Sequence, residues 1–226
     1  MHELMDRLKG CSLFRDLPES VLREQILPQG NLMEISKNTA VIQYQQKVEY
    51  FCVVISGRIQ TLHSFEDGTY NIFHVLHSGG VVGVDLLWTG SRVAPYFAVA
   101  AEPSRVLRFP ASLLESQGGL EEIWRLRILE RVLALISQDN MRKEYRLSIL
   151  SRKGLRERIL TYLSMQASKR RTATFTVPFT REEMASFLCV NRSAMCHELS
   201  LMQQEGLISF RKNEFTMCYW EPTMVP

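Results

Sequence analysis

Arg192, Ser193 and His197 are side chains suited to reading a surface rather than to breaking a bond. They fall within NRSAMCHELS, and on a helix they share one face with Cys196 and Ser200. Ala194, Met195, Leu199 and Met202 recur at helical spacing and are expected to form the buried side. A planar guanidinium presents two parallel donors, which match O6 and N7 of guanine in a DNA major groove. Arg192 is therefore expected to fix one guanine in each half of a DNA site, with Ser193 and His197 adding single hydrogen bonds. Lys169 and Arg170 are candidates for phosphate oxygens, and Asn191, with Thr180 and Arg181 at the opening of the preceding helix, completes the expected DNA-contact set. Asn191 is expected to cap the reading helix.

No set of residues supports catalysis in the same way. The chain has no H-E-x-x-H, G-x-S-x-G or P-loop, and Gly79-Gly80-Val81-Val82-Gly83 lacks the spacing of a dinucleotide fingerprint. An enzyme is not expected. An iron–sulfur centre needs about four clustered thiolates, and the five cysteines, Cys11, Cys52, Cys189, Cys196 and Cys218, are scattered. His63, His74 and His77 are candidate haem ligands by type only. There is no C-x-x-C-H, and His74 and His77, three residues apart along a strand and turn, would point different ways. No metal site is expected, and no cofactor can be named.

The reading residues need a scaffold, and residues 180–220 specify one. Thr180 followed by Glu183 is a capping box, and Met184, Ala185, Phe187 and Leu188 give the short helix after it a buried side. Cys189-Val190 turns the chain, Asn191 opens the second helix, and Gly206 stops it. Leu207-Ile208-Ser209-Phe210 then starts a strand, Lys212-Asn213-Glu214 turns it, and Phe215 to Trp220 returns. This is a winged helix-turn-helix, in which the second helix enters the major groove while the first crosses the backbone. Charge agrees with that placement. From residue 151 onward there are 11 Lys+Arg against 7 Asp+Glu, whereas the first 150 residues hold 16 against 17.

The rest of the chain has a different texture. The start, MHELMDRLKG, is charged and lacks an apolar signal core, and no run approaches the ~20 apolar residues of a membrane span. With an odd number of scattered cysteines, a reducing cytoplasm is expected and a membrane is not. Residues 3–10 and 18–27 read as short helices. From about 31 to 109, β-type runs such as AVIQY, YFCVVIS, GRIQTLHSF, TYNIFHVL, FAVAA and SRVLRF alternate with turns, which predicts an antiparallel sandwich, barrel or jelly roll. Asp67-Gly68 reads as a hairpin turn. Residues 112–150 are helical, and Leu126, Leu129, Leu133, Ile136 and Asn140 alternate at spacings of three and four, the seam of a coiled coil or one face of an amphipathic helix packed within its own subunit. Ile128, Val132 and Leu135 widen the stripe, so that one side of the helix can meet a partner while the other lies on the β-rich part. Arg152-Lys153-Gly154 reads as a hinge before a helix over 155–168.

FTREEMASFLCVNRSAMCHELSLMQQEGLIS resembles the DNA-binding domain of the cyclic-AMP receptor protein and fumarate–nitrate regulator family, and YFCVVISGRIQTLHSFEDGTYNIFHVLHSGGVVGVDLLW resembles its β-roll, with Gly57, Gly68, Gly80 and Gly83 at the expected glycines. The resemblance implies an α+β fold. A β-roll sensory domain (double-stranded β-helix, jelly roll) would span 1–111, a dimerisation helix 112–150 and a winged helix-turn-helix 151–226. It implies a homodimeric regulator that binds inverted-repeat double-stranded DNA, with RNA polymerase as an expected partner and a small-molecule effector in the roll. The effector pocket would be drawn from Gly80, Val82, Gly83, Val84, Asp85, Leu86, Arg92 and Tyr96. Cyclic-AMP binders of the family place a Glu after the last glycine and an Arg-Ser pair about ten residues on. Val84 and Ala94-Pro95 stand there instead, supplying neither cation nor donor, so cyclic AMP is not the expected effector. The reading helix also departs. Ser193 replaces the usual Glu and His197 an Arg, which softens base selection and motivates an alternative: a small-molecule-binding or scaffold protein with a decayed DNA-reading helix.

Overall fold

The computed structural model describes residues 2–64, 70–116 and 118–220. The chain divides into two compact units, Met1–Asp139 and Asn140–Pro226.

The first unit opens with α1 (His2–Gly10) and a short α2 (Glu19–Val21), which runs on as a π-turn over Leu22–Ile26. Among the described residues eight strands follow: β1 (Asn31–Ile35), β2 (Ala40–Ile42), β3 (Tyr50–Ser56), β4 (Ile59–Ser64), β5 (Tyr70–Leu76), β6 (Val81–Val82), β7 (Phe97–Ala100) and β8 (Ser104–Pro110). They form two antiparallel four-stranded sheets, ordered β1-β8-β3-β6 and β2-β7-β4-β5, the expected roll. The run YFCVVIS is apolar without alternation because both faces of β3 are covered. Phe51, Val53 and Ile55 join an outer core with Leu8, Phe14 and Leu22, while Cys52 and Val54 face the roll interior with Ile59, Val82 and Ala98. The turn expected at Asp67-Gly68 lies outside the described residues.

The long helix α3 spans Glu122–Leu150 and starts ten residues later than the sequence texture predicts. Ala111–Leu114 form only a 3-10 turn, and Gly119 at φ 76° holds a left-handed conformation that no helix continues through. Ile128 and Val132 are buried in the outer core of the first unit. On the other side of the helix Leu126 is 50% exposed, Leu133 66% and Ile136 37%, while Leu129 is half-buried against the core. Asn140 is exposed.

The second unit takes the end of α3 and then α4 (Leu155–Arg170), β9 (Thr174–Thr176), α5 (Arg181–Phe187), α6 (Arg192–Gln204), β10 (Ile208–Arg211) and β11 (Glu214–Met217). The wing is a three-stranded antiparallel sheet, ordered β10-β11-β9. The division falls at 139/140, within α3, and Ile149 is buried in the core of the second unit with Ile159, Met184 and Leu199. The helix break at 151–154 is where the sequence places the hinge, but it is not where the packing changes. Ala194 corrects the expected buried stripe: Met195, Leu199 and Met202 are buried, but Ala194 is exposed. It lies about 100° round the helix from Met195, outside a stripe spaced at four and three.

Candidate nucleic-acid interface and effector pocket

The helix-turn-helix is held by local hydrogen bonds that the sequence spells out. Thr180 Oγ1 accepts from the Glu183 amide at 3.2 Å, and Glu183 Oε2 accepts from the Thr180 amide at 2.9 Å. Cys189, at φ 53°, makes the turn, and Asn191 Oδ1 accepts from the amides of Ser193 (2.8 Å) and Ala194 (3.4 Å). Gly206 at φ 72° stops α6, and the Leu207 amide donates to Met202 O at 3.0 Å, satisfying a carbonyl left over at the helix end.

Arg192, Ser193, His197 and Ser200 are exposed together on α6, whereas Cys196 is half-buried against the core. Arg192 Nη1 stands 3.6 Å from Glu182 Oε2, with both side chains mostly in solvent. Such an exposed pair contributes about 0–1 kcal/mol. The back of α6 is tied to α4 by Arg156, which donates from Nε to Glu198 at 2.5 Å and bidentately to Glu205 at 2.7 and 2.9 Å. No motif in the sequence marks Arg156, although its fork geometry suits two carboxylates two helix turns apart.

The other residues expected to touch DNA separate into two groups. Lys169 is exposed at the end of α4. Arg181 is committed internally. Its guanidinium lies over Phe210 and Phe215 (5.0 and 4.9 Å to the ring centroids) and donates to Lys212 O at 2.7 Å, fixing the wing turn. Arg170 lies over Phe175 and donates to Thr176 O. Thr180 and Asn191 use their side chains as caps. The side chains of these four make bonds or ring contacts within the unit, although Arg170, Thr180 and Asn191 are exposed, as are Arg192, Ser193, His197 and Lys169.

Arg146 was not foreseen. It is only 7% exposed, on the part of α3 that belongs to the second unit. Its Nε donates to Phe187 O at 3.1 Å and its Nη2 to Ser186 O at 3.3 Å, and its guanidinium stacks 5.0 Å from the Phe187 ring centroid. Burial pulls its pKa below the usual guanidinium value. It closes the carbonyl end of α5, next to the turn that launches α6. The sequence offers no sign beyond an arginine three residues before the buried Ile149.

In the first unit, the glycine-rich segment shapes one wall of the roll. Gly83 is left-handed at φ 88°, and a Cβ there would sit 3.0 Å from Ile42 Cδ1 and 3.2 Å from Tyr50 O. Gly80 pairs through its carbonyl with the Val54 amide at 2.9 Å. Val82 and Leu86 face the roll interior, but Val84 packs into the outer core, away from it. Ala94 is fully buried in the interior cluster and Pro95 is exposed. Asp85 Oδ1 accepts from the Tyr96 hydroxyl at 2.8 Å; burial, and then the Asp85 charge, push the Tyr96 pKa up, so the phenol stays protonated. Arg92 donates to Glu115 at 3.1 Å. Of the expected pocket residues, Val82, Leu86, Asp85 and Tyr96 thus converge, and Val84 and Arg92 are engaged elsewhere. His74 Nε2 stands 3.3 Å from Asp139 Oδ1, while His77 is exposed, in line with their expected divergence. Among the described residues no group of three or more His, Cys, Asp or Glu could hold a metal ion, and no helix is long and apolar enough to cross a membrane.

Comparison with known proteins agrees with this architecture. Residues 32–117 match the cyclic nucleotide-binding domain family, and residues 157–221 match the Crp-like helix-turn-helix domain family. Electron transport regulator A of Shewanella oneidensis is 23% identical over 184 residues, covering 78% of this chain and 70% of that protein. The c-di-GMP responsive global regulator CLP of Xanthomonas campestris superposes with a TM-score of 0.68 at 17% identity, covering 89% of this chain and 100% of CLP. A CooA mutant from Carboxydothermus hydrogenoformans gives 0.64 at 15% identity, covering 88% and 90%. The two domain matches, in this order on a roll, a long helix and a winged helix-turn-helix, place the chain in the cyclic-AMP receptor protein/fumarate–nitrate regulator family of transcription regulators.

Proposed function

We propose that this chain acts as a homodimeric, sequence-specific DNA-binding regulator whose DNA affinity is set by a small molecule in the roll, with RNA polymerase as its downstream partner. The observation that carries the reading is the exposed face of α6, which holds Arg192, Ser193, His197 and Ser200 on a helix capped at Asn191 and stopped at Gly206. A decayed reading helix would not need both caps, the Arg156 anchor and an outward polar face. The expected site is an inverted repeat with half-site centres ~10 base pairs apart, each with one firm guanine under Arg192 and softer neighbours. Selection of bound DNA from a random pool tests this. Arg192→Ala should cost about 1–3 kcal/mol and relax preference mainly at that guanine. An equal loss on every sequence would make Arg192 a phosphate anchor instead. Lys169→Ala should weaken all sequences alike and reduce the salt slope.

Cyclic AMP is expected not to bind at micromolar concentration. Val84 turns into the outer core, Ala94-Pro95 replaces the cation and hydroxyl, and Arg92 is held by Glu115. A buried phosphate without a charge-assisted partner is strongly disfavoured. The same reasoning weighs against c-di-GMP, to which CLP responds. Calorimetry decides the point: a micromolar Kd for cyclic AMP would overturn the expectation and direct attention to Arg92 leaving Glu115.

A further inference from the structure

We infer that Ala194 is a base-reading residue of α6: its methyl group meets the C5-methyl of one thymine in each half-site, and His197 donates to O4 of that same base. This rests on α6 entering the major groove, and it adds a second specified base to the guanine under Arg192.

The spacing of α6 suggests a buried Ala194, yet the residue is exposed. The other exposed residues of α6, Arg192, Ser193, His197, Ser200, Gln203 and Gln204, are all polar. Ala194 is therefore the apolar side chain that this face offers to a partner. Successive helical residues turn by about 100°, which puts Ala194 about 60° from His197 and one turn before it. Side chains at that spacing are neighbours on a helix surface. Arg192 lies about 160° round the helix from Ala194, so the two serve different base pairs. The Ala194 amide donates to Asn191 Oδ1 at 3.4 Å, which ties the residue into the capped first turn. Alanine has no side-chain rotamer to order, so a contact made by its methyl group costs no side-chain entropy.

Thymine alone presents a methyl group in the major groove, and it does so beside O4, an acceptor. An apolar side chain next to a hydrogen-bond donor is complementary to that edge. A neutral imidazole carries one N–H donor, which O4 can accept. Cytosine fails on both counts, because it lacks the methyl group and sets an amino donor where O4 would stand. Adenine and guanine offer acceptors to His197 but leave the Ala194 methyl group without an apolar partner. Alanine also favours a helix by propensity alone. That role predicts no dependence on a methyl group of the DNA, which separates it from base reading.

The test uses the full-length protein and the DNA site selected from a random pool, with each thymine replaced in turn by deoxyuridine, which lacks only the methyl group. One replacement should weaken binding about three- to fivefold in a single half-site, and about tenfold or more when made in both. In Ala194→Gly the same replacement should have no effect, while the preference for the guanine under Arg192 persists. Should the glycine variant fail to melt cooperatively, Ala194→Ser takes its place: a hydroxyl beside the methyl group should bring the thymine-to-uracil ratio close to one. His197→Ala should lose the preference for thymine over 5-methylcytosine, which keeps the methyl group but carries an amino donor in place of O4. A selected half-site without thymine, equal affinity for thymine and uracil at every position, or a uracil effect that persists in the Ala194 variants overturns the inference. Thymine preference unchanged in His197→Ala overturns the shared reading of that base. If any of these occurs while Arg192→Ala still relaxes the guanine, α6 reads DNA without Ala194 or His197 acting as inferred. A pool that yields no preferred sequence defeats the reading by α6, and this inference with it.

Discussion

Leu133→Arg is expected to leave the protein monomeric and to abolish tight binding to its DNA site. Leu133 is the most exposed of the large apolar residues predicted for the seam, at 66%, with Leu126 and Ile136 beside it on the outward side of α3. The inward side is already used, because Ile128 and Val132 are buried in the outer core. An outward apolar row on a long helix calls for a second copy of the same helix. In a two-fold interface each substitution acts twice. Losing about 1.5–3 kcal/mol of burial per leucine removes roughly 3–6 kcal/mol, and the buried guanidinium pair adds to the cost. Dimer affinity should fall by at least ~100-fold. A monomer covers one half-site and loses the gain from holding two. Since Leu133 contributes little to the fold of its own subunit, the melting temperature of the monomer should hardly change. Sedimentation that shows an unchanged dimer would reject this interface.

Arg146→Ala is expected to destabilise the second unit by about 3 kcal/mol and to lower DNA affinity for every sequence. The guanidinium donates to the carbonyls of Ser186 and Phe187 at the end of α5, where the last turn of a helix lacks internal partners. Alanine removes the donors, the stacking on Phe187 and most of the buried volume. The turn at Cys189 and the cap at Asn191 follow immediately, so looseness at 186–189 passes to the start of α6. Arg146→Lys should recover part of the stability, because it keeps a charge but cannot reach both carbonyls with a planar fork. Wild-type urea stability in Arg146→Ala would show that the contact contributes nothing to the fold.

Much of the architecture was already written in local sequence, because the interactions responsible are local. Thr180 with Glu183, Asn191 before Arg192, and Gly206 after Gln204 each fix a helix end through bonds spanning a few residues, and all three stand where the spacing puts them. The strands of the roll were legible from β-type runs between turns, and the two faces of α3 from their opposite neighbours in a 3.6-residue repeat. What the sequence could not decide depends on residues far apart in the chain. Arg181 and Arg170 read as DNA contacts because they are basic and lie near the reading helix, yet aromatic rings at 210, 215 and 175 take their guanidinium groups. Ala194 reads as part of a stripe, but only the packing of α6 on its core selects the side that is buried. The extent of α3 was set by a left-handed Gly119, and Ile149 near its end joins the second core. In the roll, Val84 turning outward, Tyr96 meeting Asp85, and His74 meeting Asp139 arise only when sheets and helix close on one another. Caps and periodicity are properties of neighbours in sequence. Pockets, clasps and buried charges are properties of neighbours in space, and only the tertiary structure assigns those.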